Sequence, residues 1–137
     1  MVKTIEMLEG QVGQFQKEPR LVARSVEFNI DNGSGVTIDS VVCRLSYPIK
    51  ILAARVVYTV ETTGTVAAGN AKIGTTVAGA EIVAATAYEN SKAVGTATQM
   101  TLVLTDIPAN TPIIVRHTGV ATTAAGVATV EIEYIYA

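Results

Sequence analysis

Apolar and polar residues alternate along most of the chain after residue 20, which is the pattern of β-strands with one buried face. The longest run, residues 49–63, places Leu52, Ala54, Val56, Tyr58 and Val60 on one side. The alternation predicts eight strands: 21–30, 36–46, 49–63, 71–77, 80–84, 96–105, 112–118 and 127–136. No segment shows the period of a long amphipathic helix.

Turn-forming residues separate these runs. Asp31-Asn32-Gly33-Ser34-Gly35 contains Asn-Gly, a strong hairpin signal, and Pro48 interrupts the chain because proline cannot donate to a ladder. The apolar run 41–43 indicates a bulge or burial on both faces. Residues 85–95 form either a loop or one helical turn, and residues 106–112 form a turn-rich connection.

Eight short strands predict an all-β, antiparallel sandwich or a small barrel, and eight strands also permit a jelly roll. We therefore expect a single jelly-roll-like β-sandwich domain over residues 20–137. Residues 1–19 differ, since they contain Gly13 and Pro19 and sustain no period. We expect an N-terminal arm there, which either frays or adds to a neighbouring subunit.

One short pattern occurs twice. Thr63-Gly64 precedes Ala67-Ala68-Gly69, and Thr118-Gly119 precedes Ala124-Ala125-Gly126; each is followed by a predicted strand. The repeat indicates two similar hairpins, whose small side chains also permit another surface to approach closely.

Composition narrows the possible functions. A hydrophobic content of 49% over 137 residues excludes a disordered chain, and a net charge of −2 offers no electrostatic attraction for nucleic acid or an anionic membrane. The first residues do not resemble a signal peptide, and the longest uncharged run, 117–130, is too short to cross a bilayer. We expect a soluble protein made in a cytoplasm.

Side chains suited to catalysis or metal binding are few. His117 and Cys43 are the single histidine and cysteine, so Cys43 is most simply a small buried hydrophobic residue. Glu131 and Glu133 share one strand face and could bind calcium, but a solvated pair is the simpler interpretation. Residues 31–35 resemble part of a calcium loop without its closing glutamate, which favours a plain turn. We predict no enzyme, and no catalytic, cofactor-binding or metal-binding residues.

The stretches VVYTVETTGTVAAGNAKIG, TQMTLVLTDIPANTPIIVRHTG and AAGVATVEIEYIY, within residues 56–136, resemble the capsid decoration (cement) proteins of tailed bacteriophages and related virion domains. The resemblance implies a non-enzymatic homotrimer that binds the outer capsid surface and clamps adjacent major capsid subunits. It implies a place on the virion, after synthesis in the host cytoplasm. Ile5, Met7, Leu8 and Phe15 are the candidate interface anchors in the arm.

Two other function classes stay open. A glycan- or receptor-binding module of a phage fibre or surface protein would present exposed aromatic side chains, and Tyr47 and Tyr88 lie near predicted loops. An enzyme with an atypical site would depend on His117, whose simpler interpretation is a strand histidine near a loop.

Overall fold

The computed structural model describes residues 20–137, which form ten β-strands. The strands are β1 (Leu21–Arg24), β2 (Phe28–Asn29), β3 (Thr37–Arg44), β4 (Ile49–Thr63), β5 (Asn70–Gly74), β6 (Val83–Ala87), β7 (Ala97–Gln99), β8 (Asp106–Ile107), β9 (Pro112–Thr118) and β10 (Ala125–Tyr136). These residues contain no helix that is long and apolar enough to cross a membrane.

The strands build two antiparallel sheets packed face to face. The six-stranded sheet has the order β1-β10-β4-β7, with β2 also paired to β10 and β8 to β4. The four-stranded sheet has the order β3-β9-β5-β6. Without the two-residue strands β2 and β8, eight strands pair first with eighth, second with seventh, third with sixth and fourth with fifth. This nested pairing makes the sandwich jelly-roll-like and confirms the predicted fold class.

The longest pair, β4 and β10, contains bulges that change which side chains face the core. Ala53 pairs with Glu133 and Ile51 with Tyr134, so Leu52 is an extra residue in β4. As a result Ile51 is buried, whereas the alternation predicts Leu52. A second shift beside Thr59 leaves Val60 exposed, again against the prediction.

The other strand predictions had mixed outcomes. Strand β9 has the predicted bounds, with Ile113, Val115 and His117 buried together, and β3 has the predicted irregularity between Val41 and Cys43. Cys43 is half-buried and packs against the core. Residues 85–87 belong to β6, and the chain continues from there without a helical turn.

Two predicted strands are interrupted, and two others have shifted bounds, since 71–77 is β5 and 80–84 is β6. The run 21–30 is broken after Arg24, so Val22 and Val26 are exposed while Phe28 is buried. The run 96–105 is a strand only over β7. Beyond it the amide of Met100 still bonds to β4, but the amide of Val103 donates to the carbonyl of Ile82, beside the other sheet. This segment therefore connects the edges of the two sheets.

The repeated Ala-Ala-Gly loops pack against each other within one chain. A Cβ on Gly64 would lie 3.0 Å from the backbone of Ala124, and a Cβ on Gly69 would lie 2.7 Å from the carbonyl oxygen of Thr118. Gly126, with φ of +146°, lies against Thr62. The small side chains of each loop thus allow close contact with the other loop at the same end of the sandwich.

Candidate functional site

The single histidine belongs to a polar cluster between the two sheets. His117 Nδ1 lies 2.6 Å from the Tyr88 hydroxyl, and its Nε2 lies 3.0 Å from Ser25 Oγ. Ser25 Oγ also accepts from the amide of Val130, and the Thr129 hydroxyl donates to the Ser25 carbonyl. The cluster therefore fastens β9 to the strand pair β1–β10 across the core.

The break between β1 and β2 places the serine in this cluster. Ser25 follows the last residue of β1, and its amide donates to the carbonyl of Val130. Its hydroxyl oxygen accepts the hydrogen bond from the Val130 amide, which a main-chain carbonyl would accept in a continuous strand. Such a side-chain bond is favoured at an interruption in a strand because serine competes with the backbone for hydrogen bonds.

These partners assign a neutral imidazole to His117. The Ser25 hydroxyl donates to the carbonyl of Val26, so it accepts from the Nε2–H group of the ring. Nδ1 then accepts from the Tyr88 hydroxyl, and both ring nitrogens are satisfied. The ring is fully buried and stacks on Phe28 at a centroid distance of 5.0 Å. Burial lowers the pKa of His117 from 6.5 to about 4 and raises the pKa of Tyr88. A histidine sealed in this way is a core residue and is inaccessible to a substrate.

The carboxylates of β10 form ion pairs on the outer face of the six-stranded sheet. Arg55 of β4 lies 3.0 Å from both Glu131 and Glu133, and Arg24 lies 3.0 Å from Glu131. Side-chain exposures of 12% and 20% show that the two glutamates are partly covered, whereas the strand period predicts a solvated pair. The two carboxylates therefore form ion pairs with arginines and are not arranged to bind a metal ion.

The loop at residues 31–35 is a turn whose backbone amides are hydrogen-bonded to the loop that follows β9. The amide of Gly33 donates to the carbonyl of Val120, and the amide of Gly35 donates to the carbonyl of Gly119. Gly33 and Gly35 both have positive φ, which glycine adopts without strain. Among residues 20–137, no group of three or more His, Cys, Asp or Glu side chains is placed to hold a metal ion.

An open apolar cleft of about 390 Å³ lies at the end of the sandwich where β10 finishes. It is lined by Tyr47, Pro48, Tyr136 and Ala137. The Tyr47 and Tyr136 rings meet edge to face, with centroids 5.6 Å apart, and both rings are more than half exposed. The amide of Ala137 donates to the carbonyl of Pro48 and closes the floor of the cleft.

The two tyrosines that the sequence suggests for ligand binding lie in different environments. Tyr47 is exposed, as a binding aromatic would be, but Tyr88 is buried in the His117 cluster, so its interpretation as a surface aromatic is wrong. Tyr136 is in register with the core-facing residues of β10 but lies in the cleft, because it is the last residue of that strand. The four anchors Ile5, Met7, Leu8 and Phe15 lie outside the described residues.

Comparison with known proteins places this fold among viral capsid structures. A chain of the cyanophage Pam1 capsid asymmetric unit superposes with a TM-score of 0.60 at 14% identity, over 88% of this chain and 86% of that chain. Structures of the infectious bursal disease virus Gx strain and of the VP2 subviral particle of that virus give TM-scores of 0.37 at 13% and 15% identity. Each of those two covers 88% of this chain but 33% of the other.

No protein-family model and no curated protein sequence matches the chain. The cyanophage similarity shows a shared fold over nearly the full length of both chains.

Proposed function

We propose that this protein is a non-enzymatic structural component of a phage particle. It binds the outer surface of the capsid as a homotrimer and stabilises contacts between neighbouring major capsid subunits. The observation that carries the proposal is the shared fold with a chain of the cyanophage Pam1 capsid. That alignment covers 88% of this chain and 86% of the other, so it leaves little of either chain unmatched.

The interior of the sandwich supports a structural role. The titratable groups best suited to catalysis, His117 and Tyr88, are bonded to each other in the core. The hydrogen bond between His117 and Ser25 joins the two sheets, which resists separation of the layers. A domain fastened in this way is suited to transmitting mechanical load on a capsid.

The proposed mechanism is thermodynamic linkage. A protein that binds only the assembled lattice stabilises that lattice by mass action, and a trimer gains avidity when it contacts three subunits at once. Residues 1–19 provide a segment that reaches beyond the sandwich to a neighbour. Its apolar residues Ile5, Met7 and Leu8 supply the contact area for a capsid subunit.

The test is binding to capsids of the cognate phage prepared without this protein. We expect the full chain to saturate at a whole number of trimers per capsid and to raise the temperature at which the capsids rupture. Deletion of residues 1–19 should leave a folded domain that binds weakly. Val94→Ser serves as the control, because Val94 is exposed and lies near the end of the sandwich opposite to Arg20, where residues 1–19 are joined.

Two results would contradict the proposal. Absence of binding by the full chain would remove the capsid role, and undiminished binding by the truncated chain would remove the role of the arm. Light scattering after size-exclusion chromatography tests the trimer, because a closed threefold assembly has three chain masses.

The glycan-binding alternative is weaker in this geometry. Sugar sites combine an aromatic platform with several polar side chains, whereas the Tyr47 cleft is lined by two tyrosines, a proline and an alanine. Burial of Tyr88 removes one of the two aromatic side chains that the sequence offers for this alternative, and only Tyr136 joins Tyr47 in the cleft.

A further inference from the structure

The tyrosine cleft exposes apolar surface that a folded domain ordinarily covers. Tyr47 is 62% exposed and Tyr136 is 51% exposed, and Pro48 and Ala137 add only apolar side chains. Aromatic rings arranged edge to face accept a third ring readily, since such pairs are favourable beyond the area they bury. The cleft therefore suits an apolar, preferably aromatic, side chain.

The described part of the chain begins beside this cleft. Leu21, the first residue of β1, pairs with Tyr134 of β10, and Arg20 lies 3.5 Å from Glu133. If this antiparallel register continued, residue 19 would lie level with Tyr136. Arg20, to which the nineteen preceding residues are joined, therefore lies at the end of the sandwich that carries the cleft.

The cleft lies on the opposite side of β10, where Ile49 of β4 pairs with Tyr136. Crossing from the β1 position to the β4 position covers two strand spacings, about 10 Å. The four residues from Phe15 to Pro19 span up to about 13 Å when extended. Phe15 can therefore reach Tyr47 without any change in the sandwich.

Pro19 is poorly suited to extending the ladder between β1 and β10. Proline has no N–H group, so continuing the β1–β10 ladder through residue 19 would gain no hydrogen bond from it. The aromatic residue nearest to that position in the segment is Phe15.

We propose that Phe15 of the same chain packs into the cleft between Tyr47 and Tyr136. The arm is thereby tethered at its base, and the residues preceding Phe15 remain free to reach a neighbour. Phe15 then belongs to the protein's own fold, whereas Ile5, Met7 and Leu8 form the contact tip. Only the role of this tip rests on the proposed capsid function; the docking of Phe15 does not.

The chain has no tryptophan, so one introduced tryptophan is a specific reporter. In Phe15→Trp we expect blue-shifted emission and reduced quenching by acrylamide, because the indole enters the apolar cleft. The matched control is Leu8→Trp, which should emit and quench as an exposed indole. Combining Phe15→Trp with Tyr47→Ala and Tyr136→Ala should abolish the blue shift. These two tyrosines are more than half exposed, so the domain should remain folded, as circular dichroism would verify.

A disulfide provides the second measurement. In a Cys43→Ser background, Phe15→Cys with Tyr47→Cys should form an intramolecular bond, since bridged residues have Cα atoms within about 7 Å. The control pair, Phe15→Cys with Val94→Cys, places the second thiol in the loop between β6 and β7 and should stay reduced.

Three results would overturn the proposal. The first is equal emission from the two tryptophan variants. The second is a blue shift or a disulfide that appears only at high concentration and links two chains, which would identify a second copy as the occupant. The third is equal cross-linking of both cysteine pairs. All of these measurements use the isolated protein, so their failure is distinct from a failure to bind capsids.

Discussion

Acidification should destabilise this domain through His117 before the carboxylates contribute. The folded state holds the pKa of the imidazole near 4, whereas the unfolded chain titrates at the ordinary value of 6.5. The unfolded state therefore binds the proton more readily, and the free energy of unfolding falls as pH drops below 6.5. The contribution of the neutral ring is complete above that pH and is lost progressively down to pH 4.

The size of this effect follows from the two pKa values. A difference of one in pKa between the folded and unfolded states corresponds to about 1.4 kcal/mol, so the full loss is about 3 kcal/mol, of which about 2 kcal/mol falls between pH 7.5 and 5. Ser25 and Phe28 contact the ring and carry no titratable group. Tyr88 is the titratable neighbour, and burial raises its pKa. Within residues 20–137, no carboxylate is bonded to the imidazole to offset the loss.

Urea unfolding between pH 7.5 and 5 measures the prediction. For m-values of about 1–3 kcal/mol per M, the midpoint should fall by roughly 0.7–2 M. Carboxylates such as Asp39, whose pKa is lowered by its hydrogen bond to Arg116, lose their contribution only at lower pH. His117→Gln is the control, since glutamine does not titrate and its midpoint should change little in this range.

Two results would refute the reasoning. An equal decrease in His117→Gln would assign the loss to other groups. Nuclear magnetic resonance provides the direct measurement, because the chain has a single histidine and its ring signals are unambiguous. Titration of those signals near pH 6.5 in the folded protein would show that the ring is not held neutral.

Three further substitutions test the packing by urea unfolding. Arg55→Ala should lower the free energy of unfolding by about 1–3 kcal/mol, because it leaves two partly covered glutamates facing each other. The control Arg20→Ala removes an exposed 3.5 Å pair and should change stability by less than about 1 kcal/mol, so equal losses would contradict this prediction. Gly119→Ala should destabilise by about 1–3 kcal/mol because its Cβ would meet a backbone oxygen at 2.9 Å, and a stability equal to wild type would show that the loops yield freely. Tyr58→Phe should cost about 1–2 kcal/mol by removing a buried hydroxyl that pairs with Thr98 at 2.7 Å and accepts from a backbone amide; an unchanged midpoint would mean that these bonds contribute nothing net.

Local chemistry along the chain is enough to specify the fold class and the longest strands. The runs that form β4 and β9 alternate over many residues, and burial of one face makes that period hard to satisfy in any other way. The turn at residues 31–35 is also predicted, and Gly33 and Gly35 adopt positive φ there. It is not a hairpin, because β2 and β3 belong to different sheets. These features depend on neighbouring residues and on period alone.

Tertiary pairing decides which residues are buried where the alternation shifts. Leu52 and Val60 match the apolar row as well as Ile51 does, but the register of β10 creates bulges that turn them away. Residues 100–105 alternate like a strand, yet Val103 bonds to Ile82 beside the other sheet. The edge of β4 is paired with β7 before this segment and with β8 after it. Such choices depend on a partner that is distant in sequence.

The same distinction applies to the functional residues. The sequence identifies His117 as the single histidine, but its partners Ser25 and Tyr88 lie 92 and 29 residues away. Tyr47 and Tyr136 form one cleft only because β4 and β10 are paired along their length. A strand period specifies the face on which a side chain lies, whereas long-range pairing specifies what it meets there.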